Sequence, residues 1–264
     1  MWDDARNAIA CVLVVIGLTA GLMAGCATLG FVDSVDSLLK QGRELYEAKR
    51  YDEALAKLQE VIKREPGSWS AYLYSARAHL AKAAWSPAIE SGRKAYELAP
   101  AGQDVVPVFA EALAGGGRDA LARGQYADAI SRLGEYVRLK PVDAHGYLDL
   151  GRAYLGSGRY SDALGTVVRG LGQAGDAKVG QELTATLLQG GRQALGQGDL
   201  QSGIGFLQEY VRRDSSGVSA YLDLGKAYWQ SGRQGEALDA FRRVLELQPG
   251  NQEALRLLLG TPGR

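Results

Sequence analysis

The sequence predicts an all-α solenoid of about six stacked helix hairpins, closed by a short C-terminal helix. The first observation behind this is a repeat. GRELYEAKRYDEALAKLQEVIKREP from Gly42, GRDALARGQYADAISRLGEYVRLKP from Gly117 and GRQALGQGDLQSGIGFLQEYVRRDS from Gly191 align with one another. The second is an interleaved set: AYLYSARAHL from Ala71, GYLDLGRAYLGSGRYSDAL from Gly146 and AYLDLGKAYWQSGRQGEAL from Ala220. Together they set a period of roughly 34 residues, the size of a helix-turn-helix unit that cannot bury its apolar face alone and therefore stacks on copies of itself. The third is the recurrence of small residues and a closing proline at fixed places.

The elements follow in order. The first unit, near 35–68, carries Gly42, Ala54 and Pro66, and the second, near 69–102, carries Ala88 and Pro100. Small residues let two helix backbones approach, and proline ends the second helix of the hairpin. Six or seven extra residues, around Gln103 to Phe109, precede the third unit (110–143), which has Gly117, Ala129 and Pro141. The fourth unit (144–177) has Gly151 and Ala163 but no closing proline, and a second insertion follows around Lys178 to Leu183. Both insertions are expected to add a turn or two to the next first helix. The fifth unit (184–217) is the most divergent, with Gly203 for the alanine and Ser215 for the proline, whereas the sixth (218–251) is complete. Residues 252–259, with Leu255, Leu257, Leu258 and Leu259, form a terminal helix suited to capping the stack. The segment from Gly117 to Leu164 also matches that from Gly191 to Leu238 at about half of its positions, which points to a duplicated two-hairpin module of roughly 74 residues.

In the sixth unit Tyr221, Leu224, Gly225, Tyr228, Gly232, Ala237, Phe241 and Pro249 follow the pattern aromatic, Leu-Gly, Tyr, Gly, Ala, large apolar, Pro; in the fourth, Tyr147, Leu150, Gly151, Tyr154, Gly158, Ala163 and Val167 do the same. By these residues the chain resembles the tetratricopeptide repeat family. The resemblance covers 37–264 and implies a right-handed α-solenoid that binds proteins and catalyses nothing.

The first 26 residues read as a lipoprotein signal peptide or membrane anchor, and 27–36 as a linker. From Ala8 to Val32 the chain is almost wholly apolar, and Met23-Ala24-Gly25-Cys26 resembles a bacterial lipobox, which implies lipidation at Cys26. Met23 stands where that motif has Leu, and Asp3 and Asp4 offset Arg6. An uncleaved transmembrane helix is the alternative, since some twenty-five apolar residues suffice to cross a bilayer. Either reading places the repeats on the periplasmic face of a bacterial cell envelope, lipid-anchored (with Ala27 favouring an outer-membrane address) or held by one inner-membrane helix.

Cys11 and Cys26 both lie in that segment, so the remaining chain offers no thiol nucleophile, disulfide or cysteine metal site. The formal net charge is zero, which argues against a nucleic-acid surface. His79 is expected to be packed and His145 solvent-facing, neither with partners at metal spacing. Gly115-Gly116-Gly117 and Gly190-Gly191 lack the Gly-Lys-Ser/Thr of a phosphate loop and read as helix-packing glycines. No cofactor, metal, small-molecule substrate or catalytic set is expected. Gly165, Gly170, Gly172, Gly175, Gly180, Gly203 and Gly205 crowd the fourth and fifth units, which are expected to be the softest.

The resemblance implies that the first helix of each unit lines a concave groove and that one position of each points into it. That position is occupied by Arg43, Arg77, Arg118, Arg152, Arg192 and Lys226, a basic ladder. Four residues earlier stand Leu39, Leu73, Ala114, Leu148, Leu188 and Leu222, and three later Tyr46, Leu80, Leu121, Leu155, Leu195 and Trp229. Spacings of three and four put these rows on one helix face. The groove suits an acidic and apolar protein segment, with Asp149 and Asp223 expected to neutralise Arg152 and Lys226 locally. The functional expectation is a membrane-tethered scaffold or adaptor binding a protein partner through this groove in assembly of an envelope complex; the alternative is a self-associating structural component with no groove ligand.

Overall fold

The structure, a computed structural model, describes residues 33–259. The proposed signal segment, Cys26 and most of the linker lie outside these residues. Among the described residues there are thirteen helices and no strand. They pair as hairpins α1 (Val35–Glu47) with α2 (Tyr51–Arg64), α3 (Trp69–Ala81) with α4 (Trp85–Leu98), and α5 (Val105–Ala122) with α6 (Tyr126–Leu139). The second half continues with α7 (Ala144–Gly156) and α8 (Tyr160–Gln173), α9 (Ala177–Gly196) and α10 (Leu200–Arg213), and α11 (Val218–Gln230) and α12 (Gln234–Leu247), before α13 (Gln252–Leu259). The insertions lengthen α5 to 18 residues and α9 to 20, against 13 for each of the other first helices.

Each hairpin closes in the same way. The second residue after the first helix adopts a left-handed conformation, at Lys49, Ala83, Gly124, Gly158, Gly198 and Gly232. The next N–H then bonds the carbonyl five residues back, as in Gln125 to Ala120 and Arg159 to Tyr154, forming a Schellman closure. Only glycine takes this conformation without a Cβ penalty, so the first two turns are strained relative to the last four. Ala83→Gly should therefore stabilise the chain by up to about 1 kcal/mol, read as a raised urea midpoint at unchanged slope.

Packing inside each hairpin rests on the small residues. Ala54, Ala88, Ala129, Ala163 and Ala237 are fully buried. A Cβ at Gly117 would come within 2.6 Å of Leu133, and one at Gly191 within 2.9 Å of Leu207, equivalent contacts in the two copies of the duplicated module. Gly116 and Gly190 likewise abut Ile89 and Phe206, so the glycine clusters serve helix packing. Second helices stop at Arg64, Leu98, Leu139 and Leu247, each two residues before a proline.

Successive first helices touch in an unbroken row, α1–α3–α5–α7–α9–α11, whereas second helices make substantial mutual contact only between α8 and α10. A stack closer on one side bends toward it, so the first helices form the inner face. Phe206, Leu187, Leu183, Leu148, Leu155 and Val167 join one apolar cluster across the junction of the fourth and fifth units. Three of the seven glycines expected to soften this region are packing positions: Gly170 faces Tyr147, Gly203 faces Leu195 and Gly205 faces Leu164. Gly165, Gly172 and Gly175 meet nothing within 4 Å.

The terminal helix caps the stack. Ala254 is buried, Leu257 and Leu258 pack on the core of the sixth unit, and Leu259 remains 82% exposed.

Candidate functional site

The ladder cations sit on consecutive first helices, and the structure shows what each one touches. Arg77 on α3 pairs with Asp104 at 2.7 Å, Arg152 on α7 with Glu182 at 3.1 Å, Arg192 on α9 with Asp223 at 2.8 Å, and Lys226 on α11 with Glu253 at 2.6 Å. Arg43 on α1 donates to the Ser70 hydroxyl. Every one of these partners lies on, or caps, the first helix of the next unit, and Glu253 on α13 extends the rule to the cap. The expected pairing of Asp223 with Lys226 on the same helix is thus not made. Asp223 turns back to Arg192, because its side chain faces the preceding first helix rather than the next turn of its own.

Each exposed pair contributes at most about 1 kcal/mol, so the ladder is a set of weak ties between neighbouring units. At the N-terminal end aromatic stacking supplements it. The Arg43 and Arg77 guanidinium groups lie 4.9 and 5.1 Å from the centre of the Tyr74 ring, and Tyr46 meets Tyr74 edge-on at 5.8 Å. Asp104, in a left-handed conformation at the start of α5, gives its carboxylate to Arg77 instead of capping its own helix. Tyr46, Arg77, Asp104 and Glu111 border a cleft of about 460 Å³ there.

Arg118 is the exception. It is exposed and makes no hydrogen bond or ion pair within the described residues, although Asp149 on α7 occupies the place that Asp223 holds opposite Arg192. Burial raises the Asp149 carboxyl above the ordinary aspartate range, outweighing the attraction of Arg118 and then Arg152. A carboxyl that holds its proton more tightly in the folded chain loses folding free energy as pH rises from the unfolded pKa, about 3.9, through the folded one. Asp149→Asn should therefore be more stable than the native chain at pH 7 and equal to it below about pH 3, checked by urea melts at both values.

The apolar rows are less available than their spacing suggests. Leu148 and Leu155 are only 3% exposed, because the lengthened α9 lies directly against α7 and covers them; they belong to the core and not to a partner surface. Leu73 and Ala114 are buried too. Leu39, Tyr46, Leu80, Leu121, Leu188, Leu195 and Leu222 are half-buried, and Trp229, on the last turn of α11, is 38% exposed.

His145 is exposed, with Nδ1 3.4 Å from Asp143. His79 is half-buried, and burial, then Lys82, pushes its pKa down. Among the described residues no group of three or more His, Cys, Asp or Glu could hold a metal ion, and no helix is long and apolar enough to cross a membrane.

A family profile described as tetratricopeptide repeat matches residues 39–102, 115–177 and 188–252. No curated protein matches the chain. Among solved structures, that of Naa15/Naa10 bound to HypK-THB is 16% identical, with a TM-score of 0.51, over 86% of this chain and 34% of that one. YrrB, a tetratricopeptide repeat protein with an unusual peptide-binding site, is 14% identical over 85% of this chain and 91% of its own, with a TM-score of 0.38. A thermophilic tetratricopeptide repeat protein of Thermus thermophilus is 21% identical over 86% of this chain and 98% of its own, with a TM-score of 0.33. At these identities the likeness is one of fold.

Proposed function

Because the chain belongs to the tetratricopeptide repeat family, a family of protein-interaction scaffolds, we propose that it holds a protein partner against its row of first helices while tethered to a membrane. The observation that carries the reading is Arg118, the one ladder cation left without a hydrogen bond or ion pair among the described residues, at the middle of the inner face. A guanidinium offers a planar fork of donors, and a carboxylate brought by a partner would gain about 1.5–3 kcal/mol there. The tether is either acyl chains on Cys26 or one helix formed by the apolar stretch from Ala8 to Val32, and the setting is assembly of a bacterial envelope complex.

The test is crosslinking in membranes of the source cell with native protein beside Arg118→Glu. Reversal at Arg118 breaks no ion pair among the described residues, whereas Glu at 152 or 192 would break the pairs with Glu182 or Asp223. Arg118→Gln, which removes the charge without setting a second carboxylate against Asp149, is the control for that repulsion. The expected result is one envelope protein recovered by the native form and lost from the variant, with equal helicity by circular dichroism. Identical recovery by both would remove Arg118 from the interface. Recovery of the chain alone would favour self-association.

A further inference from the structure

A cleft opens on the outer face of the stack, between α2 and α4. These second helices stand apart, so one face of α3 becomes the floor of a cleft of about 880 Å³, within the roughly 300–1,000 Å³ of small-molecule sites. Leu55, Gln59 and Ile62 of α2 form one wall, and Glu90, Ser91 and Lys94 of α4 the other. Tyr72, Ser75 and His79 of α3 line the floor. The cleft originates in a departure from the repeat. Ser75 and His79 stand where the fourth unit has Leu150 and Tyr154 and the sixth has Leu224 and Tyr228. In those units the larger pair packs on the preceding second helix, against Ile130 and Val137 of α6 and against Ile204 and Val211 of α10. Leu55 and Ile62 hold the same two places on α2, and the shorter side chains opposite them leave the space open.

We propose that this cleft binds a neutral saccharide. The site lies away from the inner face and is independent of Arg118 and of the scaffold reading. Its first ground is a set of polar groups without partners. The side chains of Gln59, Tyr72, Ser75, His79, Glu90 and Ser91 make no hydrogen bond among the described residues. Ser75 weighs most. It is only 5% exposed and lines the cleft, yet its hydroxyl does not return to its own helix as those of Thr184 and Thr186 do. A buried hydroxyl left without a partner is costly, and a ligand group reaching the floor would satisfy it.

The second ground is charge. The cations beside the cleft are paired with carboxylates, Lys82 with Asp52, Lys94 with Glu97 and Arg93 with Glu135, whereas Glu90 has no ion pair among the described residues. An anionic ligand would meet Glu90 with no cation free to receive it, and a metal ion would find no group of three ligating side chains among the described residues. A sugar hydroxyl both donates and accepts. So do the Gln59 amide, the Tyr72, Ser75 and Ser91 hydroxyls and the His79 imidazole, while Glu90 accepts. Burial and then Lys82 push the His79 pKa down, so the ring is neutral at pH 7 and offers one donor and one acceptor. Leu55, Ile62 and the Tyr72 ring supply apolar surface for the C–H faces of a sugar ring, the combination of apolar wall and convergent polar groups that small-molecule sites share.

The test is a microarray of neutral, cationic amino-sugar and uronic acid oligosaccharides probed with the full chain, with retained glycans titrated by calorimetry. Ser75→Leu and His79→Tyr restore what the fourth and sixth units carry, so they fill the cleft with side chains the repeat already accommodates. Glu90 is exposed, so Glu90→Gln removes the free carboxylate without touching the core. The expected result is retention of neutral glycans whose affinity falls by about ten-fold or more in Ser75→Leu and about three-fold or more in Glu90→Gln. Arg118→Glu should leave it unchanged, with equal helicity in every form. No retained glycan, equal affinity in Ser75→Leu, or preference for uronic acids or cationic amino sugars would each overturn the proposal. If Ser75→Leu alters helicity, affinity unchanged in both His79→Tyr and Glu90→Gln decides against it.

Discussion

Phe206→Ala is expected to destabilise the chain by about 3–5 kcal/mol and to split its unfolding into two transitions. Phe206 has no exposed surface, and its ring lies against Gly190 on α9. The cluster around it draws Leu148 and Leu155 from α7, Val167 from α8 and Leu187 from α9, so one side chain joins the fourth unit to the fifth. In a solenoid each unit is held by its own fold and by its neighbours, so a cavity at one junction removes coupling as well as burial. The second half has only the remaining contacts of α7 and α8 with α9 and α10 to transmit stability across that point. With Trp2, Trp69 and Trp85 replaced by Phe in both the native and the Phe206→Ala chain, so that Trp229 of the sixth unit is the sole tryptophan, urea unfolding followed by its fluorescence should then move to lower denaturant than helicity followed by circular dichroism. Coincident curves for the two signals would mean that the junction is not where cooperativity is held.

Much of this organisation is legible in the sequence, and what is not has a physical reason. The first-helix and second-helix positions, the lengthened α5 and α9, the closing prolines and the packing glycines all follow from spacing, because they are set within a unit of about 34 residues. Gly203 shows the limit. In sequence it reads as a degenerate alanine, yet its Cβ would fall 2.5 Å from Leu195, so the missing methyl lets α9 and α10 come closer and Leu195 fills the gap. The ladder shows another. Its cations stand out in a row, but rules for one helix pair them three or four residues away. Their actual partners stand 27 to 31 residues on, across the unit boundary, as in Arg77 with Asp104 and Arg192 with Asp223. A carboxylate recurring at that longer interval was the available signal. Leu148 and Leu155 were hidden for a related reason: facing the inner side leaves a residue open only where the next first helix does not cross it, and α9 does.

Gly225→Ala should destabilise the sixth unit by about 1–3 kcal/mol, although alanine is the better helix former by up to about 1 kcal/mol. The two effects oppose, and geometry decides between them. A Cβ at Gly225 would fall on the Phe241 ring, 2.7 Å from Cδ1, and that ring is 1% exposed and packed among Ala220, Leu224, Ala237 and Ala240. It has no free space into which to swing, so α11 and α12 must separate and the cap with them, since α13 packs on α12 and Lys226 ties it to α11 through Glu253. Gly165→Ala on α8 is the matched control: its Cβ meets nothing within 4 Å, so the same substitution should stabilise by about 0.5–1 kcal/mol. Opposite shifts of the urea midpoint in the two variants would separate helix propensity from helix approach. Shifts of the same sign would mean that the ring yields or that propensity dominates, and close packing at the repeat glycine would no longer explain why the residue recurs as Gly42, Gly117, Gly151, Gly191 and Gly225.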